Sequence, residues 1–189
     1  MKEIFILLGS NRGDRQATIE QAKTLISSIC GNILRSSHLY ETEPWGFEDT
    51  TAFLNQVIEI ESALEPEKLM ERLLSIETQL GRERVCSLQS AVCSNPPSPI
   101  PNPASSNSQF SIINYQFSSR PIDLDILFYG HKMIFTENLM IPHPRLHLRR
   151  FTLEPLNELS PTFQHPVLKK TISVLLQECN DAHKVGKLS

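Results

Sequence analysis

Several things are scarce in this sequence. It has one Trp and four Cys among 189 residues. Cys30, Cys86, Cys93 and Cys179 form no Cys-x-x-Cys pair, which argues against a zinc ribbon or a thioredoxin-type redox motif. No apolar run approaches the roughly 18 residues of a membrane span. Met1-Lys2-Glu3 leads into only five apolar residues, Ile4–Leu8, too few for a secretory signal. The expectation is free thiols in a reducing cytoplasm, with no membrane partner. A basic excess is also missing. Lys and Arg number 18 against 21 Asp and Glu, a net charge of −3, so no nucleic-acid partner is expected. The turn Gly9-Ser10-Asn11-Arg12-Gly13 is no P-loop, because Asp14 and Arg15 stand where Lys and Ser/Thr are needed. No Ser/His/Asp or Cys/His set stands out, so a covalent protein nucleophile is not indicated.

What is present suits one folded unit. Hydrophobic residues make up 40% of the chain and charged residues 21%, enough for a core. Ile4–Leu8, stopped by Gly9, reads as a buried strand. Asp14 is placed to cap a helix whose apolar stripe is Ile19, Ala22, Leu25, Ile26 and Ile29, ended by Gly31-Asn32. Strands follow at about 33–40 and 54–61. Pro66 opens a second helix with Leu69, Leu73, Ile76 and Leu80 on one face, and Gly81 stops it. Ile122–Tyr129 is the clearest strand, and Met133–Phe135 reads as a short extra one. Arg145–Leu159 reads as helical but interrupted at Pro155, and Leu168–Cys179 as a final amphipathic helix. The order predicts an α+β, ferredoxin-like βαββαβ sandwich. Helices cover one sheet face, with C-terminal helical additions.

Residues 85–119 differ from the rest. They hold ten Ser, five Pro and four Asn, and no charged residue. Such a stretch buries too little apolar area to offset its ordering entropy, and it reads as a long, flexible inserted loop within a single domain.

The sharpest chemical signal is Arg120-Pro121-Ile122-Asp123-Leu124-Asp125-Ile126. Strand side chains alternate, so Asp123 and Asp125 share one face. Their backbones lie roughly 6–7 Å apart. Two like charges side by side in a strand repel, and a hard cation removes the objection, with oxygen ligands favouring Mg²⁺. Arg82, Arg84, Arg120, His143, Arg145, Arg149 and Arg150 form a cationic set that precedes and follows the acidic strand in sequence. Arginine forks match phosphate oxygens, so acids flanked by arginines suggest a polyphosphate site. A solvated charged surface is the competing reading for both groups. Asn55 sits in a strand, where Asn is disfavoured, and could read a heterocycle edge. Phe53 offers a stacking face; a core Phe beside a locally satisfied Asn is the competing reading, and from these residues alone the stronger one.

These residues together resemble the 6-hydroxymethyl-7,8-dihydropterin pyrophosphokinase family of folate biosynthesis. The resemblance runs through Leu8-Gly9-Ser10-Asn11, the 40–46 segment Tyr-Glu-Thr-Glu-Pro-Trp-Gly, and Phe53-Leu54-Asn55. It continues through Ile76-Glu77, Gly81-Arg82-Glu83-Arg84, the Arg120–Ile126 run, Pro142-His143-Pro144-Arg145, Arg149-Arg150-Phe151 and Pro155-Leu156. It implies transfer of pyrophosphate from ATP to the pterin hydroxymethyl group, releasing AMP; a monomer is expected. Asp123 and Asp125 would hold two Mg²⁺ ions and, with Arg82 and Arg120, form the catalytic set. Arg82, Arg84, Arg120, His143 and Arg149 match nucleotide-contacting positions. Thr42, Glu43 and Trp45 would contact the pterin through backbone, Asn55 would read its edge, and Phe53 and Phe151 would sandwich it. The family's Trp-Gly-Pro before the final arginine is replaced here by Phe117-Ser118-Ser119, leaving Phe117 as the substitute lid aromatic. Two other readings stay open. One is a different Mg²⁺-dependent nucleotidyl- or phosphotransferase using the same acids. The other is a non-catalytic ferredoxin-like RNA-binding module, which would want exposed aromatics and a basic face.

Overall fold

The computed structural model describes residues 3–43, 51–82 and 120–188. The expectations for Trp45, Arg84, the 85–119 insertion and its Phe117 lie outside the described residues.

Strand β1 (Ile4–Ser10) lies inside the main antiparallel sheet, between β4 (Phe53–Glu61) and β5 (Asp123–Tyr129). Every residue of β1 is buried, which explains its unbroken apolar run. Ile4, Ile6 and Leu8 face one core together with Ile58, Ile60 and Leu124. Helices α1 (Arg15–Ile29) and α2 (Pro66–Gln79) supply the other side of that core through Ile19, Ile26, Leu69 and Leu73. Phe5 and Leu7 face a second core with Val57, Leu127, Leu153 and Leu156. There the covering helices are α3 (Arg150–Leu159) and α4 (Ile172–Glu178). Helices therefore cover both faces of the sheet, not one as expected. The reason is that β1 and β5 present large apolar side chains to both sides, and each face must be covered.

The local details follow from single side chains. Asp14 caps α1, its carboxylate accepting from Ala17 N–H at 3.0 Å. Thr171 caps α4 by accepting from Val174 N–H at 3.3 Å. That cap sets the start of α4 later than the expected Leu168, because His165 Nδ1 binds Val167 and Leu168 N–H, each at 3.2 Å, in a turn. The expected strand at 33–40 is divided into β2 (Asn32–Ser36) and β3 (Tyr40–Thr42), which pair with different halves of β4. Ser37 causes the break. Its hydroxyl accepts from Val57 N–H at 3.1 Å while its carbonyl accepts from the Gln56 amide at 2.7 Å. Pro155 does not interrupt α3. It is buried within the helix and forgoes only the bond to the Phe151 carbonyl. Strands β6 (Ile134–Phe135) and β7 (Met140–Ile141) form a separate ribbon, and β8 (Val185–Lys187) adds an unexpected strand beside β3.

A bulge matters for the site. Phe5 pairs with Phe128 and Ile6 with Ile126, leaving Leu127 as the extra residue. Leu127 and Phe128 consequently both face the second core, on the same side as Asp123 and Asp125.

Gly31 ends α1 at φ 148°, and a Cβ there would lie 2.1 Å from the Glu61 carbonyl oxygen. Gly31→Ala should therefore destabilise the fold by about 2 kcal/mol or more, measured as a lowered urea midpoint with unchanged slope. A midpoint equal to wild type would refute this close approach.

Candidate active site

The sheet register assembles the site. Gly9 of β1 pairs with Asn55 on one side and Asp123 on the other. Two residues further along, Leu7 pairs with Val57 and Asp125. The second core thus gives way, toward one end of the sheet, to a polar floor of Asn55, Asp123 and Asp125. Gly9 keeps that floor open: a Cβ there would meet Asn55 Oδ1 at 3.2 Å and approach Phe53 and Asp123. The shared face expected for the two acids is present, and both are half-buried.

On the β4–β3 side, Asn55 Nδ2 donates to Thr42 Oγ1 at 2.8 Å. Both residues are buried, and Phe53 pairs with Thr42 across the strands. Glu43 lies just beyond β3 and is exposed.

The β5 side is a charge network. Arg82 Nη1 donates to Asp123 Oδ1 at 2.5 Å, and Arg120 Nη1 lies 3.2 Å from Asp123 Oδ2. Arg82 also donates to Glu77, a carboxylate only 1% exposed. Glu77 accepts the Leu124 N–H at 2.8 Å, so it satisfies an amide on the sheet's edge strand while orienting Arg82. Burial disfavours the Arg82 cation, but Asp123 and Glu77 outweigh it and hold its pKa above the ordinary value. Arg120 is itself placed by β1. Asn11 Oδ1 accepts its N–H at 2.8 Å, and Ser10 Oγ donates to the Pro121 carbonyl at 2.5 Å.

Arg149 and Phe151 bring α3 to the same place. Arg149 is 7% exposed, and its guanidinium lies 5.6 Å from the centre of the Phe151 ring. Burial lowers its pKa from the ordinary value, while Asp125 and Asp123 raise it. His143 follows the cis Ile141–Pro142 bond and donates its N–H to the Leu127 carbonyl at 3.0 Å. Burial, then the Arg149 charge, lowers its imidazole pKa to about 3, so the ring is neutral at pH 7.

Asp125 carries the consequence of this crowding. Burial, and then repulsion from Asp123, raises its pKa to about 7 against the pull of Arg149 and Arg120. Two hard-oxygen donors that repel each other, ringed by cations suited to phosphate, fit a divalent cation carrying a polyphosphate. No group of three or more His, Cys, Asp or Glu is placed to hold a metal among the described residues.

Of the site residues named from the sequence, Thr42, Phe53, Asn55, Arg82, Arg120, Asp123, Asp125, His143, Arg149 and Phe151 converge here. Glu43 is at the margin, and Trp45 and Arg84 lie outside the described residues. Sequence reasoning gave Glu77 no role, although a signal existed. Leu69, Leu73 and Glu77 are spaced i, i+4, i+8, which puts a carboxylate in line with the buried stripe of α2. Ser10 and Asn11 read only as a turn. Their hold on Arg120 spans more than 100 residues and leaves no local trace.

Comparison with known proteins gives a consistent result. The family described as 7,8-dihydro-6-hydroxymethylpterin-pyrophosphokinase (HPPK) matches residues 5–93 and 104–161. A Bacillus subtilis 2-amino-4-hydroxy-6-hydroxymethyldihydropteridine pyrophosphokinase is 35% identical, covering 82% of this chain and 76% of its own length. The Porphyromonas gingivalis protein of the same name is 32% identical, over 88% of this chain and 95% of its own. The Pneumocystis carinii folic acid synthesis protein fol1 is 35% identical over 94% of this chain, which spans only 20% of that longer protein. The fold resembles the crystal structure of Plasmodium falciparum HPPK-DHPS, with a TM-score of 0.67 at 17% identity, over 94% of this chain and 44% of that one.

Because the folded-state pKa of Asp125 exceeds the unfolded value, its contribution favours the fold below the ordinary carboxylate range. That contribution is lost as pH rises toward about 7. The metal-free protein should therefore lose more Tm between pH 5 and pH 8 than Asp125→Asn does. Scanning calorimetry of both forms checks this; parallel Tm curves would count against the crowded carboxyl.

Proposed function

The chain belongs to the 7,8-dihydro-6-hydroxymethylpterin-pyrophosphokinase family, and on that premise we propose that it transfers pyrophosphate from ATP to the hydroxymethyl group of 6-hydroxymethyl-7,8-dihydropterin, a step of folate synthesis. The observation that carries this reading is one juxtaposition. Asp123 and Asp125 stand on a single face, with Asn55, Thr42 and Phe53 to one side across the sheet and an arginine cluster to the other.

In the proposed reaction the pterin hydroxymethyl oxygen attacks the β-phosphorus of ATP. A new O–P bond forms, the bond from Pβ to the α-phosphate oxygen breaks, the hydroxyl proton is lost, and AMP leaves. Phe53 and Phe151 hold the pterin ring between them, Asn55 reads its edge, and Thr42, Glu43 and Trp45 contribute backbone contacts by the resemblance to the family. Arg82, Arg120, Arg149, His143 and Arg84 bind and orient the triphosphate. Neutral His143 offers a hydrogen bond without adding charge. Asp123 and Asp125 would hold Mg²⁺, two ions by analogy with the family. Bound there, Mg²⁺ supplies Lewis-acid neutralisation of the polyphosphate. No covalent protein nucleophile is needed, because alignment and charge neutralisation are the main demands of such transfer. Glu77 keeps Arg82 directed at Asp123.

The partial strand order β5-β1-β4-β2 supports the ferredoxin-like reading, here with a second helical layer. Among the described residues no helix is long and apolar enough to cross a membrane. The buried free thiols Cys30 and Cys179 suit a cytoplasmic setting.

The deciding experiment incubates the protein with ATP, Mg²⁺ and the hydroxymethyldihydropterin. AMP and pterin diphosphate are expected; release of free pyrophosphate would favour a nucleotidyltransferase instead. Asp125→Ala should lower kcat by well over tenfold, a loss above about 1.4 kcal/mol, while the circular dichroism spectrum is kept. Asn55→Ala should weaken pterin binding and leave ATP binding intact by calorimetry. Equal losses for both ligands would remove Asn55 from the pterin edge.

A further inference from the structure

Helix α3 begins without a cap of its own. Arg149 occupies the N-cap position, and its side chain makes no capping hydrogen bond. A guanidinium has only donors, so it cannot accept from the first turn. The orphan N–H groups need acceptors elsewhere. Thr152 and Leu153 N–H both reach back to the Arg149 carbonyl at 3.1 Å. Arg150 N–H instead donates to Asp181 Oδ2 at 3.0 Å, a residue 31 positions later, past the end of α4.

The Arg150 side chain donates to the same segment. Arg150 Nε donates to the Asp181 carbonyl and Nη2 to the Cys179 carbonyl, each at 3.1 Å. The second oxygen of Asp181 accepts from His183 N–H at 3.2 Å and lies 2.5 Å from His183 Nδ1. The Asp181 side chain is 3% exposed. Its carboxyl stays below the ordinary range although burial opposes this, because His183 and Arg150 bond to its charged form. A carboxylate at a helix N-terminus is also favoured by the helix dipole.

The anchored residue is well placed to matter. Arg150 lies between Arg149, whose charge acts on Asp125 and His143, and Phe151, which packs against the Arg149 guanidinium. The apolar underside of α3, Leu153 and Leu156, fixes the helix against the sheet. Apolar contact is non-directional, however, and leaves the rotation of the first turn weakly defined. A hydrogen-bonded cap from outside the helix defines it.

We propose that Asp181 is a positioning residue for the reaction: capping α3 from the C-terminal segment, it sets Arg149 and Phe151 together and so couples the nucleotide and pterin sides of the site. This rests on the proposed pyrophosphokinase reading.

The test uses the full chain and compares Asp181→Ala, Asp181→Asn and, as a packing control, Ile172→Val in α4. Asn caps a helix about as well as Asp. Asp181→Ala should raise KM for both ATP and the dihydropterin by about tenfold. Asp181→Asn should restore both, and Ile172→Val should leave both unchanged at a temperature well below its Tm. Wild-type KM values in Asp181→Ala, no rescue by Asn, or equal losses in Ile172→Val would each overturn the proposal. Arg150→Gln, which removes the guanidinium's bonds to the 179–181 segment but keeps the carboxylate, should show the same pattern more weakly and serves if Asp181→Ala does not fold. Amide hydrogen exchange separates this idea from the functional one. Should the wild type make no pterin diphosphate, the functional reading falls. Faster exchange confined to Arg150–Leu153 in the variants would still support the cap, and unchanged exchange there would overturn it.

Discussion

Two carboxylates on one face of one strand repel each other, and the surroundings of Asp123 and Asp125 are organised around that repulsion. Arg82 and Arg120 take one oxygen each of Asp123. Burial and the Asp123 charge raise the proton affinity of Asp125. Glu77, buried at the end of α2, aligns Arg82 and also satisfies the Leu124 amide. The acids and arginines hold one another in place without neutralising Asp125. That remaining tension is what a divalent cation with its phosphates would relieve.

The scaffold makes the crowding affordable by packing tightly beneath it. Phe5, Leu7, Val57 and Leu127 form an apolar base, and the bulge at Leu127 keeps both Leu127 and Phe128 on that side. Phe163 packs against Phe5 and Phe128 at ring distances of 5.4 and 4.8 Å, stiffening the layer under α3. The α3 helix is then pinned at both ends. Asp181 holds its first turn, and near its other end Glu158 accepts from the Tyr40 hydroxyl at 2.7 Å and meets His38 Nδ1 at 2.5 Å. Tyr40 pairs directly with Asn55, so the same helix is tied to the strand pair that carries that amide.

Much of the site was legible because it obeys a short period. Alternation in β5 put Asp123 and Asp125 on one face, and the i, i+4 pattern of α2 gave its buried stripe. The two-sided helical cover was not legible. The apolar run of β1 reads the same whether one face or both are covered, and α3 and α4 carry no mark of which face they choose. The split between β2 and β3 was hidden too, because Ser37 substitutes a hydroxyl for a ladder partner and Ser is unremarkable in sequence. The hold of Asn11 on Arg120 and the cap from Asp181 are long-range hydrogen bonds between residue types common in loops. Only the folded chain brings them together.

The most direct test of the central claim is a crystal structure with Mn²⁺ in place of Mg²⁺, a non-hydrolysable ATP analogue and the hydroxymethyldihydropterin. The account expects anomalous peaks at coordination distance, about 2.0–2.2 Å, from carboxylate oxygens of both Asp123 and Asp125. Nucleotide bound with no ion on either side chain, and Asp123 still held only by Arg82 and Arg120, would contradict it.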